Sequence, residues 1–461
     1  MLGLRRKATF VQLVILYSMQ VAHMAVMVPN IRLIIESLHQ TYSYAGILMG
    51  LYMFLSGFAS VLWALYSDMK GIARKFLIAI GLLGNGVLTL ICYSMIDPYF
   101  FAVFYILAGM SASVVGPLTT TIIMDMFRSE RRTESLMMYK ILGGIGYVFG
   151  FALGLILGVS YNQWRKPLFL IGVINISIGA PFALALAEPP KGYSEKKLHT
   201  VLKTKKRYPF TLKPGDIKII TGTRSNYYIT LQGIFGTIAS GAIEIWVIQY
   251  LVTEGGASEV VASVFLGLSA LGAFGGMQIS KFADRLYSKS PRLKPLIAGI
   301  CTLIETVFFI IFFLLPIDLS LVNAGSILEA IIKLILYMAE NKMIGLCVAL
   351  FFIGMVFNSS VGPIRNSAIS DINLPEHRAT VLSGINIIEI FSKSVGTMFL
   401  GLLIDYVGSF RIPLLLAVSL WFISGIYWIE VAKHYERDIW KINIILEKRQ
   451  SLLLQEEQSK K

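Results

Sequence analysis

Residues 76–95 have the sequence FLIAIGLLGNGVLTLICYSM, which contains no charged residue in twenty positions. A second run of the same length, LFLIGVINISIGAPFALALA at residues 168–187, is equally free of charge. Twenty residues form a helix about 30 Å long, which matches the thickness of the hydrocarbon core of a bilayer. These two runs therefore predict a protein whose helices cross a membrane.

The composition of the whole chain agrees with this prediction. Of its 461 residues, 56% are hydrophobic and only 15% are charged, whereas a soluble domain carries about 25% charged residues. The mean hydropathy is +0.69. No cleavable signal peptide is expected, because the apolar run at residues 9–29 is too long and no small-residue cleavage site follows it.

Apolar runs separated by short polar turns recur along the chain. They lie at residues 9–34, 43–67, 75–95, 99–125, 135–158, 166–187, 226–252, 258–283, 294–315, 344–370, 380–404 and 411–433. We therefore predict an all-α polytopic membrane protein with twelve transmembrane helices. An even number of spans places both termini on the same side of the membrane.

The distribution of basic residues indicates which side that is. Arg5, Arg6 and Lys7 precede the first span, and the polar loop at residues 191–213 contains eight Lys and Arg residues against one acid, Glu195. Cytoplasmic loops carry such an excess of Lys and Arg. We predict that both termini and this loop are cytoplasmic, which accounts for the net charge of +14 without a nucleic-acid partner.

The same pattern suggests how the chain is divided. We predict an N-terminal six-helix bundle at residues 1–187, a basic cytoplasmic linker at 188–225 and a C-terminal six-helix bundle at 226–433. An insert at residues 316–343 is expected on the external side, with a short amphipathic helix from Ile327 to Met338. The tail at residues 434–461 mixes Ile and Leu with charged residues at helical spacing. It predicts a cytoplasmic amphipathic helix of the kind that lies on a membrane surface.

The two halves repeat each other. Matching residues 246 positions apart are Gly116 and Gly362, Pro117 and Pro363, Asp125 and Asp371, Glu130 and Glu376, Arg132 and Arg378, and Arg165 and Arg411. Six-helix halves related as parallel repeats are typical of secondary transporters. Gene duplication in a membrane protein that does not transport is the alternative.

A charged turn follows the second span of each half. The first copy is ALYSDMKGIARK at residues 64–75, and the second is SKFADR at residues 280–285. Both resemble the signature of the major facilitator superfamily, in which a glycine, an aspartate and basic residues follow the second helix. The resemblance implies a twelve-helix fold of two bundles and a gating role for the charged turns.

The resemblance also implies partners for these aspartates at the ends of the fourth and tenth spans. The gating residues it implies are Asp68, Arg74, Asp125 and Arg132 in one network, and Asp284, Arg285, Asp371 and Arg378 in the other. Charges that can pair in one conformation and separate in another suit a gate. The alternative is charge that sets topology, together with ordinary surface salt bridges, which contribute little energy.

A closer resemblance lies around the fourth to sixth spans. Asp125-Met-Phe, Gly146-Tyr147-Val-Phe-Gly150, Trp164-Arg165 and Glu188-Pro189-Pro190-Lys191-Gly192 resemble the Spinster branch of the superfamily. That branch exports lysophospholipids and sphingoid phosphates. It has an Asp-Arg pair in the first span and a glutamate in the fourth, where this chain has Gln20-Val21 and Ala112. The coupling chemistry of the branch is therefore not carried over by the resemblance.

Ionisable residues within the apolar runs are the candidates for substrate binding and coupling, because charges in the hydrocarbon core are costly and usually functional. The candidates are Gln20, His23, Lys140, Glu244, Arg365, Asn386, Glu389 and Lys393. Glu389 and Lys393 are i,i+4 neighbours and are predicted to pair on one helix face. Such a pair is either purely structural or lines a cavity. Glu244, with no partner within one turn, is a candidate proton carrier, and His23 has a structural alternative.

Six glycines lie within the fifth span. They are Gly143, Gly144, Gly146, Gly150, Gly154 and Gly158. Glycines spaced in this way let membrane helices approach closely, so we predict helix packing and not phosphate binding.

We predict a secondary active transporter that works by alternating access on an organic anion or an amphipathic, lipid-like molecule, with protons as a candidate coupling ion. It is expected in the plasma membrane as a monomer, with no cofactor and no metal site. The alternative is a membrane sensor or scaffold that retains the fold. An enzyme is disfavoured, because no nucleophile–base set is visible, and Cys92, Cys301 and Cys347 all lie in apolar runs.

Overall fold

In the computed structural model, the described residues are 2–70, 72–127, 129–189, 220–322, 324–374 and 377–458, and no β-strand occurs among them. The chain forms helices α1 (Leu2–Ala25), α2 (Ile31–Ser37), α3 (Tyr42–Lys70), α4 (Arg74–Ser94), α5 (Pro98–Ala112), α6 (Val115–Met126), α7 (Ser129–Leu153), α8 (Arg165–Ile174), α9 (Ala180–Leu184), α10 (Arg224–Thr253), α11 (Glu259–Ala270), α12 (Ala273–Tyr287), α13 (Leu293–Leu314), α14 (Ile327–Glu340), α15 (Lys342–Asp371), α16 (Arg378–Val407) and α17 (Arg411–Gln458). A 3₁₀ turn, Val28–Asn30, joins α1 to α2, and π-helical segments Gly154–Val159 and Asn175–Gly179 continue α7 and α8.

Twelve of these helices, or runs of consecutive helices, are long and apolar enough to cross a membrane within the described residues. Pairs α1–α2, α5–α6, α8–α9 and α11–α12 each form one bent span, and the short helix α14 is not among the twelve. The predicted all-helical protein with twelve spans is confirmed.

The chain divides into two compact units, Met1–Pro209 and Phe210–Lys461. Each unit contains six of the twelve spans. Residues 190–219, which include most of the predicted linker, lie outside the described residues.

Close packing of α1 against α7 organises the first unit. A Cβ atom added at Gly150 would lie 2.6 Å from the Cα of Ala22, and one added at Gly154 would lie 2.6 Å from the carbonyl oxygen of Val26. Only glycine permits this approach of two backbones. The predicted packing role is confirmed for these positions, whereas a Cβ at Gly144 would meet nothing within 4 Å.

Helix α17 includes the predicted tail helix. Its 48 residues run from Arg411 to Gln458 without a break, so the tail helix is continuous with the twelfth span. Tyr435 and Asp438 within it are fully buried. The carboxylate of Asp438 accepts hydrogen bonds from the backbone N–H (3.0 Å) and the hydroxyl (2.8 Å) of Ser225, which fixes the tail to the start of α10.

The predicted amphipathic helix of the insert is confirmed as α14, Ile327–Glu340. Its N-terminus is capped by Ser326, whose hydroxyl oxygen accepts from the Glu329 N–H at 3.3 Å. Its buried side chains, Ala330 and Leu334, face the rest of the second unit.

The contact between α1 and α7 predicts a contrast between two substitutions. Gly150→Val should destabilise the protein by about 1–3 kcal/mol, because an added side chain would overlap backbone atoms that cannot move aside. Gly144→Val, in the same helix but facing open space, is the matched control. Thermal unfolding of the purified proteins, followed by fluorescence-detected size exclusion, would show a lower midpoint for Gly150→Val alone. Equal midpoints for both variants would contradict the packing role.

Candidate functional site

Four ionisable side chains from three helices of the second unit form two ion pairs. Arg365 of α15 pairs with Glu389 of α16, with side-chain exposures of 17% and 8%. Glu244 of α10 pairs with Lys393 of α16, with exposures of 31% and 27%. Both pairs therefore cross from one span to another in the apolar part of the unit.

These pairs correct two predictions. Glu389 and Lys393 do not pair with each other, as their i,i+4 spacing suggested, and Glu244 does have a partner. The physical reason is that both α16 side chains lie on one helix face and each meets an opposite charge on a neighbouring helix. The i,i+4 rule applies only to side chains of one helix, so it cannot predict a partner on a facing helix. The position of all four residues inside apolar spans could be predicted from the sequence.

Glycines of α10 provide the space for the two α16 side chains. A Cβ at Gly233 would lie 3.0 Å from the Cγ of Glu389, and one at Gly241 would lie 2.7 Å from the Cγ of Lys393. Between them, the Thr237 hydroxyl donates to the backbone carbonyl of Glu389 at 3.2 Å. Neither glycine was predicted from the sequence, in which the available signal was their eight-residue separation on one helix face.

The environment of Glu389 is asymmetric. Its Oε2 accepts from Arg365, while Oε1 is buried and accepts no hydrogen bond from any described residue. Arg365 also donates to Asn386 Oδ1 at 3.3 Å. The buried, unpartnered oxygen is a place where a proton can be held beside the cation.

A second polar group lies in the first unit. Lys140 of α7 donates to the Tyr17 hydroxyl at 3.1 Å, and its ammonium lies 4.4 Å from the centre of the Tyr17 ring. Three residues further along α1, Gln20 is half-buried beside Gly116, where a Cβ would lie 3.3 Å from its Oε1. That Oε1 accepts no hydrogen bond from the described residues. An exposed cation and an unpaired amide oxygen thus lie on neighbouring helices of this unit.

His23, a candidate for substrate binding with a structural alternative, lies inside the first unit in a way that fits the structural alternative. It is 0% exposed, and its ring nitrogens lie 3.0 Å from the Tyr52 hydroxyl and 3.0 Å from the Thr89 hydroxyl. It also stacks on Tyr105 with a centroid distance of 4.8 Å. A ring with both nitrogens bonded inside the unit is a structural group.

Arg74, which begins α4, is the centre of a charged cluster in the first unit. Its guanidinium is 3% exposed and donates to Asp125 at 2.7 Å and to Glu188 at 2.7 Å. Glu188 also accepts from the backbone N–H of Arg74 at 3.2 Å, so it caps the start of α4. Glu188 was not among the residues predicted for this charged network. Asp68 and Arg132 have their backbones in α3 and α7, but their side chains lie outside the described part of the chain.

The second unit contains a corresponding cluster, with a different centre from the one predicted. Lys294, near the start of α13, lies 3.1 Å from Asp284 and 3.2 Å from Asp371. It also donates to the Ser367 hydroxyl at 2.5 Å. Asp371 accepts a further hydrogen bond from the Tyr435 hydroxyl at 2.8 Å.

Arg285 and Arg378, predicted for this cluster, are placed elsewhere. Arg285 is exposed on α12, and Arg378 donates to the backbone carbonyls of Ser370 (2.9 Å) and Asn373 (3.3 Å) at the end of α15. In each half, the cation of the cluster comes from the start of the third span, at Arg74 or Lys294. That end of the span lies against the segments that carry the two carboxylates. Lys294 is one of several basic residues around the turn between α12 and α13, so the sequence did not single it out.

Metal ligands are not grouped in the described residues, where no three His, Cys, Asp or Glu side chains are placed to hold an ion. The three cysteines are buried and unbonded to one another.

Comparison with known proteins agrees with the fold. The family model of the Major Facilitator Superfamily matches residues 13–328. The zebrafish (Danio rerio) Sphingosine-1-phosphate transporter SPNS2 is 24% identical over 255 residues, which cover 52% of this chain and 49% of that protein. The Xenopus laevis Protein spinster homolog 1 is 23% identical over 54% of this chain and 48% of its own length. The chain thus spans about half the length of the curated relatives it matches.

A solved structure shows the same fold over nearly the whole chain. A bacterial homolog of the human lysosomal transporter Spinster, in an inward-facing and occupied conformation, aligns with a TM-score of 0.68 and 16% identity over 94% of this chain and 98% of its own. The family match over most of the chain, together with the twelve helices among the described residues that are long and apolar enough to cross a membrane, identifies the chain as an integral membrane protein. The chain belongs to the major facilitator superfamily.

Proposed function

We propose that the protein is a secondary active transporter that moves an anionic, amphipathic small molecule together with a proton. It works by alternating access, in which a substrate site is exposed first to one side of the membrane and then to the other. The observation that carries the proposal is the buried Arg365–Glu389 pair, with one carboxylate oxygen of Glu389 unpartnered among the described residues.

The coupling follows from charge balance. When Glu389 is ionised, it neutralises Arg365, so the guanidinium has little affinity for another anion. When Glu389 is protonated, the positive charge of Arg365 is uncompensated in a low-dielectric environment, where an unpaired charge is costly. An anionic group of the substrate then supplies the missing charge. Proton and anion bind together for this reason, and loss of the proton expels the anion.

The remaining charges of the second unit stay balanced throughout this cycle. Glu244 and Lys393 neutralise each other, so they add no net charge to the substrate. The exposed Lys140 of the first unit adds one cation, held over the ring of Tyr17. The net balance of the candidate groups favours an anion over a cation as substrate.

The relatives support an amphipathic substrate. The zebrafish relative is named as a transporter of sphingosine-1-phosphate, which carries a phosphate on an alkyl chain. We propose a substrate of this class, and no particular molecule. From the distribution of Lys and Arg we also propose that both termini are cytoplasmic. We propose separately that the protein acts as a monomer in the plasma membrane.

A stability screen on the purified protein tests the substrate class. Lysophosphatidic acid and sphingoid phosphates should raise the unfolding temperature. The matching monoacylglycerol, which is uncharged, and sphingosine, which carries only an ammonium group, should not, because both lack the phosphate anion. The best ligand then serves as substrate in proteoliposomes. Equal stabilisation by the members of each pair with and without the phosphate would contradict the proposal.

We predict that Glu389→Gln abolishes accumulation driven by a pH difference but leaves exchange of substrate intact. The amide mimics the protonated acid, so Arg365 stays free for the anion while no proton can be carried. Glu340→Gln, an exposed residue at the end of α14, is the matched control and should accumulate substrate normally. The two reactions are measured as radiolabelled uptake into proteoliposomes with and without a pH difference.

Glu244→Gln separates the two pairs in the same assay. It should impair transport through loss of the charge that balances Lys393, and it should not change the ratio of protons to substrate. The proposal is wrong if Glu389→Gln still accumulates substrate against its gradient when only a pH difference is imposed, whatever the result for Glu244→Gln. Accumulation by the unsubstituted protein in this assay distinguishes a transporter from a sensor or scaffold.

We propose that the two charged clusters at the helix ends act as gates. Asp284→Asn, like Asp68→Asn, should slow transport while leaving the protein folded. The Asp284 side chain is 65% exposed, so its ion pair with Lys294 contributes about 1 kcal/mol or less to stability. Rates are compared at matched expression, with Asp318→Asn in the insert as a control. Normal rates in both cluster variants would refute the gating role.

A further inference from the structure

The insert helix α14 presents three faces, which are roughly 120° apart at 3.6 residues per turn. Ala330 and Leu334 are fully buried, and this face packs against α11 and α15. Glu329, Lys333 and Glu340 form a polar face. The third face is an apolar stripe whose members are 51–69% exposed, namely Leu328, Ile332, Ile335 and Leu336. An ordinary surface helix has one apolar face, so the second one needs an occupant.

We propose that the apolar stripe is inserted among the acyl chains of the bilayer, so that α14 is an interfacial, lipid-binding helix. This role goes beyond the proposed transport function and does not depend on it. A helix with an apolar face, a charged face and a position at the end of a span is suited to the boundary between headgroups and chains.

Continuity with the membrane-spanning surface identifies lipid as the occupant. Helix α14 ends at Glu340, and the span α15 begins at Lys342. The intervening Asn341 caps α15, its side chain accepting from the Met343 N–H at 3.1 Å. Exposed apolar side chains continue beyond this corner, at Met343 (40%) and Leu346 (46%) of α15. The stripe is thus one end of a surface that already faces lipid.

The polar face fixes the rotation of the helix about its axis. Lys333 lies 2.7 Å from Glu329, and its hydrogen bond holds the pKa of the Glu329 carboxyl below the ordinary value. The carboxylate therefore stays ionised at neutral pH and must remain in water or among headgroups. With one face against the protein and another held in water, the remaining face is directed at the bilayer.

The insert is also attached to the α10–α11 turn. The Leu319 N–H donates to the Gly255 carbonyl at 2.7 Å, and Leu319 is fully buried. The Tyr337 hydroxyl of α14 donates to the Asp318 carbonyl at 3.4 Å. Lipid contact at α14 would consequently restrain the end of α10, the span that carries Glu244.

Spin labels on single cysteines test the proposal in the full-length protein reconstituted in phosphatidylcholine vesicles. One set replaces Leu328, Ile332 or Leu336 on the stripe, and the matched set replaces Glu329, Lys333 or Glu340 on the polar face. The native cysteines can stay, because Cys92, Cys301 and Cys347 are buried. Unsubstituted protein taken through the labelling reaction measures any background.

We expect collisions with oxygen, which concentrates among acyl chains, to dominate at the stripe positions. Collisions with a water-soluble nickel chelate should dominate at the polar positions. Equal nickel accessibility on both faces would show that the stripe lies in water and would overturn the proposal. Low accessibility to both reagents at the stripe would also overturn it, because a protein surface would then cover the helix. Spin–spin broadening in that case would identify a second copy of the chain as the cover.

Discussion

The ion pair between Arg365 and Glu389 is the interaction on which the proposed functional site depends. A charge inside the hydrocarbon core is tolerated when an opposite charge accompanies it, and removal of one partner of a buried pair costs about 3–5 kcal/mol. The structure meets this requirement by joining α15 to α16 and, through Glu244 and Lys393, α10 to α16. The glycines of α10 follow from the same requirement, since Gly233 and Gly241 leave room for the side chains that carry the charges.

The two halves of the chain share a framework and differ in their interiors. Each uses a cation at the start of its third span, Arg74 or Lys294, to join carboxylates at neighbouring helix ends. In its interior, the first unit has the neutral network of His23, Tyr52 and Thr89, and the second has the two ion pairs. A repeat that keeps its charged clusters and varies its interior can, under the proposed function, assign substrate contacts and coupling to different halves.

The fold could be predicted from the sequence because membrane spans are defined locally. A run such as residues 76–95 is long and apolar enough to form a span by itself, and it does so as α4. The site was predicted only in part. The depth of Glu389 and Lys393 follows from their positions along α16, but their partners depend on which helices face each other. Lys294 and Glu188 were not predicted for the same reason. Several charged residues lie near each of them in the sequence, and only tertiary packing determines which one forms the ion pair. The continuity of the tail helix with the twelfth span and the burial of Asp438 against Ser225 also depend on tertiary packing, so neither could be predicted from the spacing of charges.

Proton uptake on substrate binding is the most direct test of the claim that protonation of Glu389 releases Arg365 for an anion. Purified protein in weakly buffered detergent solution is mixed with the anionic ligand at a pH at which Glu389 is ionised, and an indicator dye reports proton exchange. We expect about one proton to be taken up for each anion bound, and we expect Glu389→Gln to bind the anion with no proton uptake. Binding without uptake by the unsubstituted protein, or unchanged uptake in Glu389→Gln, would contradict this claim.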